Sequence, residues 1–187
     1  MTEMNLHAIA GFCSEEALWK MLRDMTSALL DHPDGERAVL MPEKVIVDGD
    51  RFLISKESTQ HPATEFYPPE GIKDYGDAGT VWSLGALICY ASSGHYVFGG
   101  RGGAYQQSNP KAELPTLRKE HSALTAVIKQ CLCYSPSQRI SLSALHTAAV
   151  EGCQQSKQRA RVLSNTKKKG GNGCPDSEDD GWPERMT

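Results

Sequence analysis

In residues 14–32, SEEALWKMLRDMTSALLDH, apolar side chains recur at Leu18, Met21, Leu22, Met25, Ala28 and Leu29. Steps of three and four place them along one face of a helix. Ser14 supplies a hydroxyl that can cap the first turn, and Glu15 and Glu16 sit at the positive end of the helix dipole. The stretch HPDGE at 32–36 ends the pattern. KVIV (44–47) and RFLI (51–54) then flank Asp-Gly-Asp, which predicts a β-hairpin. Residues 58–77 are rich in Pro, Gly and polar side chains and read as a long loop. Residues 78–94, AGTVWSLGALICYASSG, are apolar almost all round, the signature of a helix buried on every side. A second loop is expected over 98–115. The stretch 120–135 lines up Leu124, Val127, Ile128, Cys131 and Leu132 on one stripe, and a last helix is expected over 141–151, with Ser141 as cap and Gly152 as stop. No internal repeat is visible. The fold class expected is mainly α (α+β) with one small β-hairpin.

Composition changes after Gly152. Apolar residues become sparse, and a basic stretch (Lys157, Arg159, Arg161, Lys167, Lys168, Lys169) is followed by glycines and the acidic run PDSEDD at 175–180. Such a segment has too little apolar surface to offset the entropy of ordering. Residues 1–152 are therefore expected to form the domain, and 153–187 a disordered tail, basic and then acidic. A net charge of −3 over 187 residues argues against nucleic-acid binding by the whole surface; such binding would have to use the tail cations, for which a solvated tail is the plainer reading. No apolar run reaches the ~20 residues of a membrane helix. The start MTEMNLHAIAG lacks the basic-then-apolar pattern of a signal peptide. The cysteines at 13, 89, 131, 133, 153 and 174 thus read as reduced thiols of an intracellular, cytoplasmic chain, with the nucleus left open.

Chemistry-bearing residues add little. Cys131 and Cys133 are two apart on an expected helix and face different sides. The histidines at 7, 32, 61, 95, 121 and 146 show no ligand spacing and suit surface or capping roles. No metal and no cofactor is expected. FGGRGG (98–103) lacks the Gly-Lys-[Ser/Thr] of a phosphate cradle and reads as a flexible loop. Ser83 lies in the buried helix, without a His–Asp arrangement near it in sequence.

Four stretches, in order, resemble the C-terminal lobe of a eukaryotic-type protein kinase over about residues 14–152. MPEKVIVD (41–48) is similar to the K-P-E-N-I-L-L-D that follows a kinase catalytic loop, and FYPPEG (66–71) to the Ala-Pro-Glu closing an activation segment. TVWSLGALICY (80–90) resembles the start of the kinase central helix, and CLCYSPSQRISLSALH (131–146) a stretch near the kinase end. The resemblance implies a kinase-like C-lobe without the β-rich N-lobe. It also implies a buried ion pair between Glu70 and Arg139, with Trp82 in the core and Gly85 at a close helix contact.

The resemblance equally marks what is missing. Aligned on Pro42-Glu43, the His-Arg-Asp of the family falls on Arg37, Ala38 and Val39, so Val39 stands where the catalytic Asp would be. Lys44 replaces a magnesium-binding Asn; the Asp-Phe-Gly falls on about Lys56-Glu57-Ser58; Thr80 replaces the Asp that braces the catalytic loop. A Lys offers donors only and cannot ligate a cation. Phosphoryl transfer depends on those electrostatic groups, so no enzyme activity and no ATP binding is expected. A C-lobe of this kind, opened by an apolar segment, Glu15, Glu16 and Trp19, resembles the kinase non-catalytic C-lobe domain, or KIND module. That family binds proteins or peptides, in its actin-nucleator members a basic formin-tail peptide. The function expected is a non-catalytic protein–protein interaction module, docking through the face left by the N-lobe, with Trp19, Met41, Lys44 and Phe52 as contacts. The alternatives are a truncated pseudokinase regulating a true kinase in trans, or a nucleic-acid-associated protein acting through its basic tail.

Overall fold

The computed structural model describes residues 4–32, 39–55, 63–73, 75–117 and 121–169. It is mainly helical, with a small antiparallel sheet of three strands. Helix α1 (Glu15–Asp31) starts where expected: the Ser14 hydroxyl accepts from the Ala17 amide at 3.2 Å. Strands β2 (Val45–Asp48) and β3 (Arg51–Ile54) form the hairpin, with Asp48 opposite Arg51 and Gly49 in the left-handed region at φ 57°. Alternation puts Val45, Val47 and Phe52 into the core. A strand that the pattern does not announce, β1 (Met4–Asn5), pairs with the free edge of β2 through Met4 opposite Val47 and Asn5 opposite Ile46.

Helix α2 (Asp77–Ser93) is the central element, and its residues from Gly79 to Ser92 are all buried. Gly94 closes it in the left-handed conformation, φ 74°, its amide reaching the Tyr90 carbonyl at 2.7 Å. Gly85 is a contact notch: a Cβ there would lie 2.7 Å from Cβ of Cys131 on helix α4 (Ser122–Cys131). The stretch 98–115, expected to be loop throughout, contains a short helix, α3 (Gly102–Ser108).

The last helix, α5 (Leu142–Lys169), runs well beyond the expected stop, so residues 153–169 are helical rather than disordered. Residues from 170 onward lie outside the described residues. Gly152 is interior to the helix and has another task. A Cβ on it would sit 2.3 Å from the indole of Trp19, so the missing side chain makes room for that ring between α1 and α5. Beyond it, Gln, Lys, Arg and Ala favour helix, and Arg159 reaches Glu15 at 3.6 Å. Intrinsic propensity alone would make Gly152→Ala stabilising by about 1 kcal/mol. Overpacking against a buried indole reverses the sign, and we expect a loss of about 1–3 kcal/mol in urea unfolding. A rise in the midpoint would show that the ring is not seated there.

Among the described residues no helix is long and apolar enough to cross a membrane. Cys89, Cys131 and Cys153 are buried with free thiols. Burial pushes the Cys89 thiol up to about 12, and Cys131 upward as well. At neutral pH both are protonated core side chains and poor nucleophiles.

Candidate functional site

Two neighbouring arrangements at one end of α2 hold the segment that leads into it. The first is built on Arg139, which follows a 3-10 turn (Pro136–Gln138) and whose side chain is wholly buried. Its guanidinium donates to both carboxylate oxygens of Glu70, at 2.6 and 2.7 Å. The remaining N–H groups reach the carbonyls of Cys133 (2.8 Å), Ala78 (2.9 Å) and Tyr134 (3.0 Å). All five donors of the fork are therefore used. The bidentate pair joins residues 69 positions apart, and the Ala78 contact adds the first turn of α2 to the same knot.

The second arrangement is centred on Ser83, one turn into α2. Its hydroxyl donates to the Thr80 carbonyl at 3.1 Å, lies 2.8 Å from the Tyr75 hydroxyl and accepts from the Leu40 amide at 3.3 Å. This is the brace between the segment 39–41 and the central helix. Thr80, from which such a brace was expected to be missing, caps its own turn through the Gly76 carbonyl at 3.2 Å. Burial holds the Tyr75 phenol up at about 12, so it remains a neutral hydrogen-bonding group. Ser83 could have been noticed in the sequence as a hydroxyl inside an otherwise apolar helix, since a buried polar group has to find a partner.

Of the positions that the resemblance marks as replaced, Val39, Lys44 and Thr80 are among the described residues. Val39 is a half-buried apolar residue against the core. Lys44 ends a 3-10 turn (Pro42–Lys44), its amide on the Met41 carbonyl and its own carbonyl accepting from Ser55. Arg37, Ala38 and Lys56-Glu57-Ser58 lie outside the described residues, as does His61. Among the described residues, no three His, Cys, Asp or Glu side chains converge to hold a metal ion. One histidine departs from the surface or capping roles expected of it, and another, His7, stays exposed but is engaged. His121 is buried against the Ser92 hydroxyl at 3.0 Å. His7 bridges the Tyr90 hydroxyl at 2.7 Å and the Glu43 carboxylate at 2.9 Å, holding the segment after β1 on α2.

Three of the four expected contact residues are not available to a partner. Trp19, Met41 and Phe52 are all buried. The face expected to be left open is filled from within, because α1 packs against α5 on one side and β3 on the other. Only Lys44 is partly exposed.

The open surface lies elsewhere. A groove of about 590 Å³ runs between the segment 64–71 and α3. Tyr67, Pro68, Ala104 and Tyr105 give it an apolar floor, and Arg101 is its one charged lining residue. The Arg101 guanidinium lies 4.1 Å over the Tyr105 ring. Glycines explain how α3 comes so close. A Cβ on Gly103 would meet the Pro68–Pro69 backbone at 2.3 Å, and the Gly103 amide donates to the Tyr67 carbonyl at 2.9 Å. Gln107 donates from its side chain to the Pro69 carbonyl. The glycine-rich stretch thus serves backbone-to-backbone packing.

No protein-family model and no curated protein matches this chain.

Proposed function

We propose that this chain is a non-catalytic protein-binding module on a frame like a kinase C-lobe. The observation that carries the reading is the Glu70–Arg139 fork. It links the Tyr-Pro-Pro-Glu segment, the start of α2 and the turn before α5 at the points where the sequence resemblance predicts a tie. The order of helix, hairpin, long connection, buried helix and terminal helices supports it too. Val39, Thr80 and Ser83 spend their contacts on packing and internal bracing, which suits a body kept for shape and not for phosphoryl transfer.

The groove beside α3 is the docking surface on this reading, in place of the face lined by α1 and the hairpin. It offers two tyrosines, a proline and a single cation, a mixture suited to an extended peptide. Crosslinking of the purified chain in native cell extract should capture a protein partner with links mapping to 64–71 and 100–108. Arg101→Glu combined with Tyr105→Ala should abolish that capture without lowering the melting temperature. Mg-ATP should neither raise the melting temperature nor be hydrolysed. Nucleotide turnover by the purified chain, or capture unaffected by the groove variant, would overturn the proposal. Links mapping to a kinase N-lobe would favour regulation of a kinase in trans.

A further inference from the structure

Helix α5 is longer than its packing requires. Up to Cys153 it lies on the body through Leu142, Leu145, Ala149 and Gly152. From Gln154 to Val162 every residue except half-buried Ser156 is exposed, and the backbone stays helical to Lys169. At 1.5 Å per residue, residues 154–169 span about 24 Å. Residues 153–169 carry Lys157, Arg159, Arg161, Lys167, Lys168 and Lys169, with no Asp or Glu. Those six cations, set against the net charge of −3, leave −5 on residues 1–152 and −4 on residues 170–187.

The projection is poorly suited to standing alone. A helix of this length is marginal in water, and like charges one turn apart, as at Lys157 and Arg161, weaken it further. Its base is steadied from within: Arg159 lies 3.6 Å from Glu15, and Asp50, held ionised first by its hydrogen bond from Lys20, is also favoured in that form by the charge of Lys157. Within residues 154–169 the apolar residues are Ala160, Val162 and Leu163, too few for the broad stripe of a membrane-surface helix.

We propose that this arm is a binding site for the phosphate backbone of double-stranded nucleic acid, independent of base sequence. Its charge density carries the inference. Six cationic residues are spread over roughly 18 Å of helix between positions 157 and 169, a linear density to set against the one negative charge per about 1.7 Å of a duplex. The net charge of −5 on residues 1–152 disfavours a polyanion on the body and leaves the arm as the cationic surface for it. The proposal stands apart from the groove beside α3, and either can fail alone.

The test is fluorescence anisotropy of the full chain with a labelled duplex of about 20 base pairs across a salt series. Log K should fall linearly with log salt, with a slope of about −3 to −5, for three to six phosphates neutralised. Lys167→Gln/Lys168→Gln/Lys169→Gln should reduce the size of the slope by about 2–3 with the melting temperature unchanged. Lys157→Gln/Arg161→Gln provides a second variant, expected to reduce it by about 1–2. No salt-dependent binding, or slopes equal in wild type and both variants, would overturn the proposal. So would preference for phosphatidylserine-containing vesicles, or for polyglutamate, over the duplex.

Discussion

Arg139→Ala should destabilise the folded chain by about 3–5 kcal/mol, read as a drop in the urea midpoint. The size follows from what is left behind. Glu70 is only 15% exposed at its side chain, and losing the fork strands its carboxylate next to the Ala78, Cys133 and Tyr134 carbonyls that the guanidinium had satisfied. Arg139→Lys should recover only part of the loss, because an ammonium cannot reproduce two parallel bonds to one carboxylate. Glu70→Ala should cost a comparable amount, since the wholly buried guanidinium would keep its carbonyl acceptors but lose its counter-charge. A double Glu70→Ala/Arg139→Ala variant should be less destabilised than the sum of the singles. Additive losses would mean that the two residues act separately, and the knot described above would not be a unit.

Trp82→Ala should match or exceed that effect, at about 3–5 kcal/mol. The indole is fully buried in α2, and its N–H donates to the Gln106 side-chain oxygen at 2.9 Å. Gln106 in turn donates to the Leu132 carbonyl at 2.8 Å, so one side-chain relay ties α2, α3 and the end of α4. Removing the indole opens a cavity and leaves a buried amide oxygen unpaired. Trp82→Phe fills most of the cavity but cannot donate, so its cost isolates the hydrogen bond at about 1–3 kcal/mol. If Phe were as good as Trp in guanidinium unfolding, Gln106 would have to find another donor, and the relay would not be structural.

The parts of the fold legible in the sequence are those written in local periodicity. Helices α1 and α2 and the β2–β3 hairpin each carry a repeat or a turn signal longer than the element's own uncertainty. The missed elements lack one. Two-residue β1 is too short to alternate, and it exists because β2 offers an open edge. Helix α3 is written RGGAYQQS, and its glycines read as loop until the backbone of Pro68 and Pro69 is seen lying against them. The continuation of α5 is polar, and polarity alone does not separate a projecting helix from a coil. Gly152 read as a stop because a single chain cannot show that Trp19, more than a hundred positions earlier, occupies the space.

The candidate site divides in the same way. No periodicity relates Glu70 to Arg139; only the resemblance to a kinase C-lobe pairs them in sequence, and five short hydrogen bonds describe the result. The resemblance to a C-lobe without its N-lobe puts Trp19, Met41 and Phe52 at a docking face if they are exposed. Large apolar residues seek cover: all three are buried, Trp19 against Gly152 of α5 and Phe52 in the strand that packs on α1. The groove beside α3 stayed hidden because its lining comes from two separated loops of unremarkable composition.

The indole of Trp19 seated in the Gly152 notch has a bearing on how the chain acquires its structure on the ribosome. The first helix finds its main partner in the last, so most of the contacts that secure it span well over a hundred positions. Such wiring raises contact order and slows folding. During synthesis the emerging first helix must wait, its apolar stripe covered only in part by β3 and α2, until residues 142–153 have been made. Chaperone dependence and a lag between translation and protease resistance are therefore expected of this molecule.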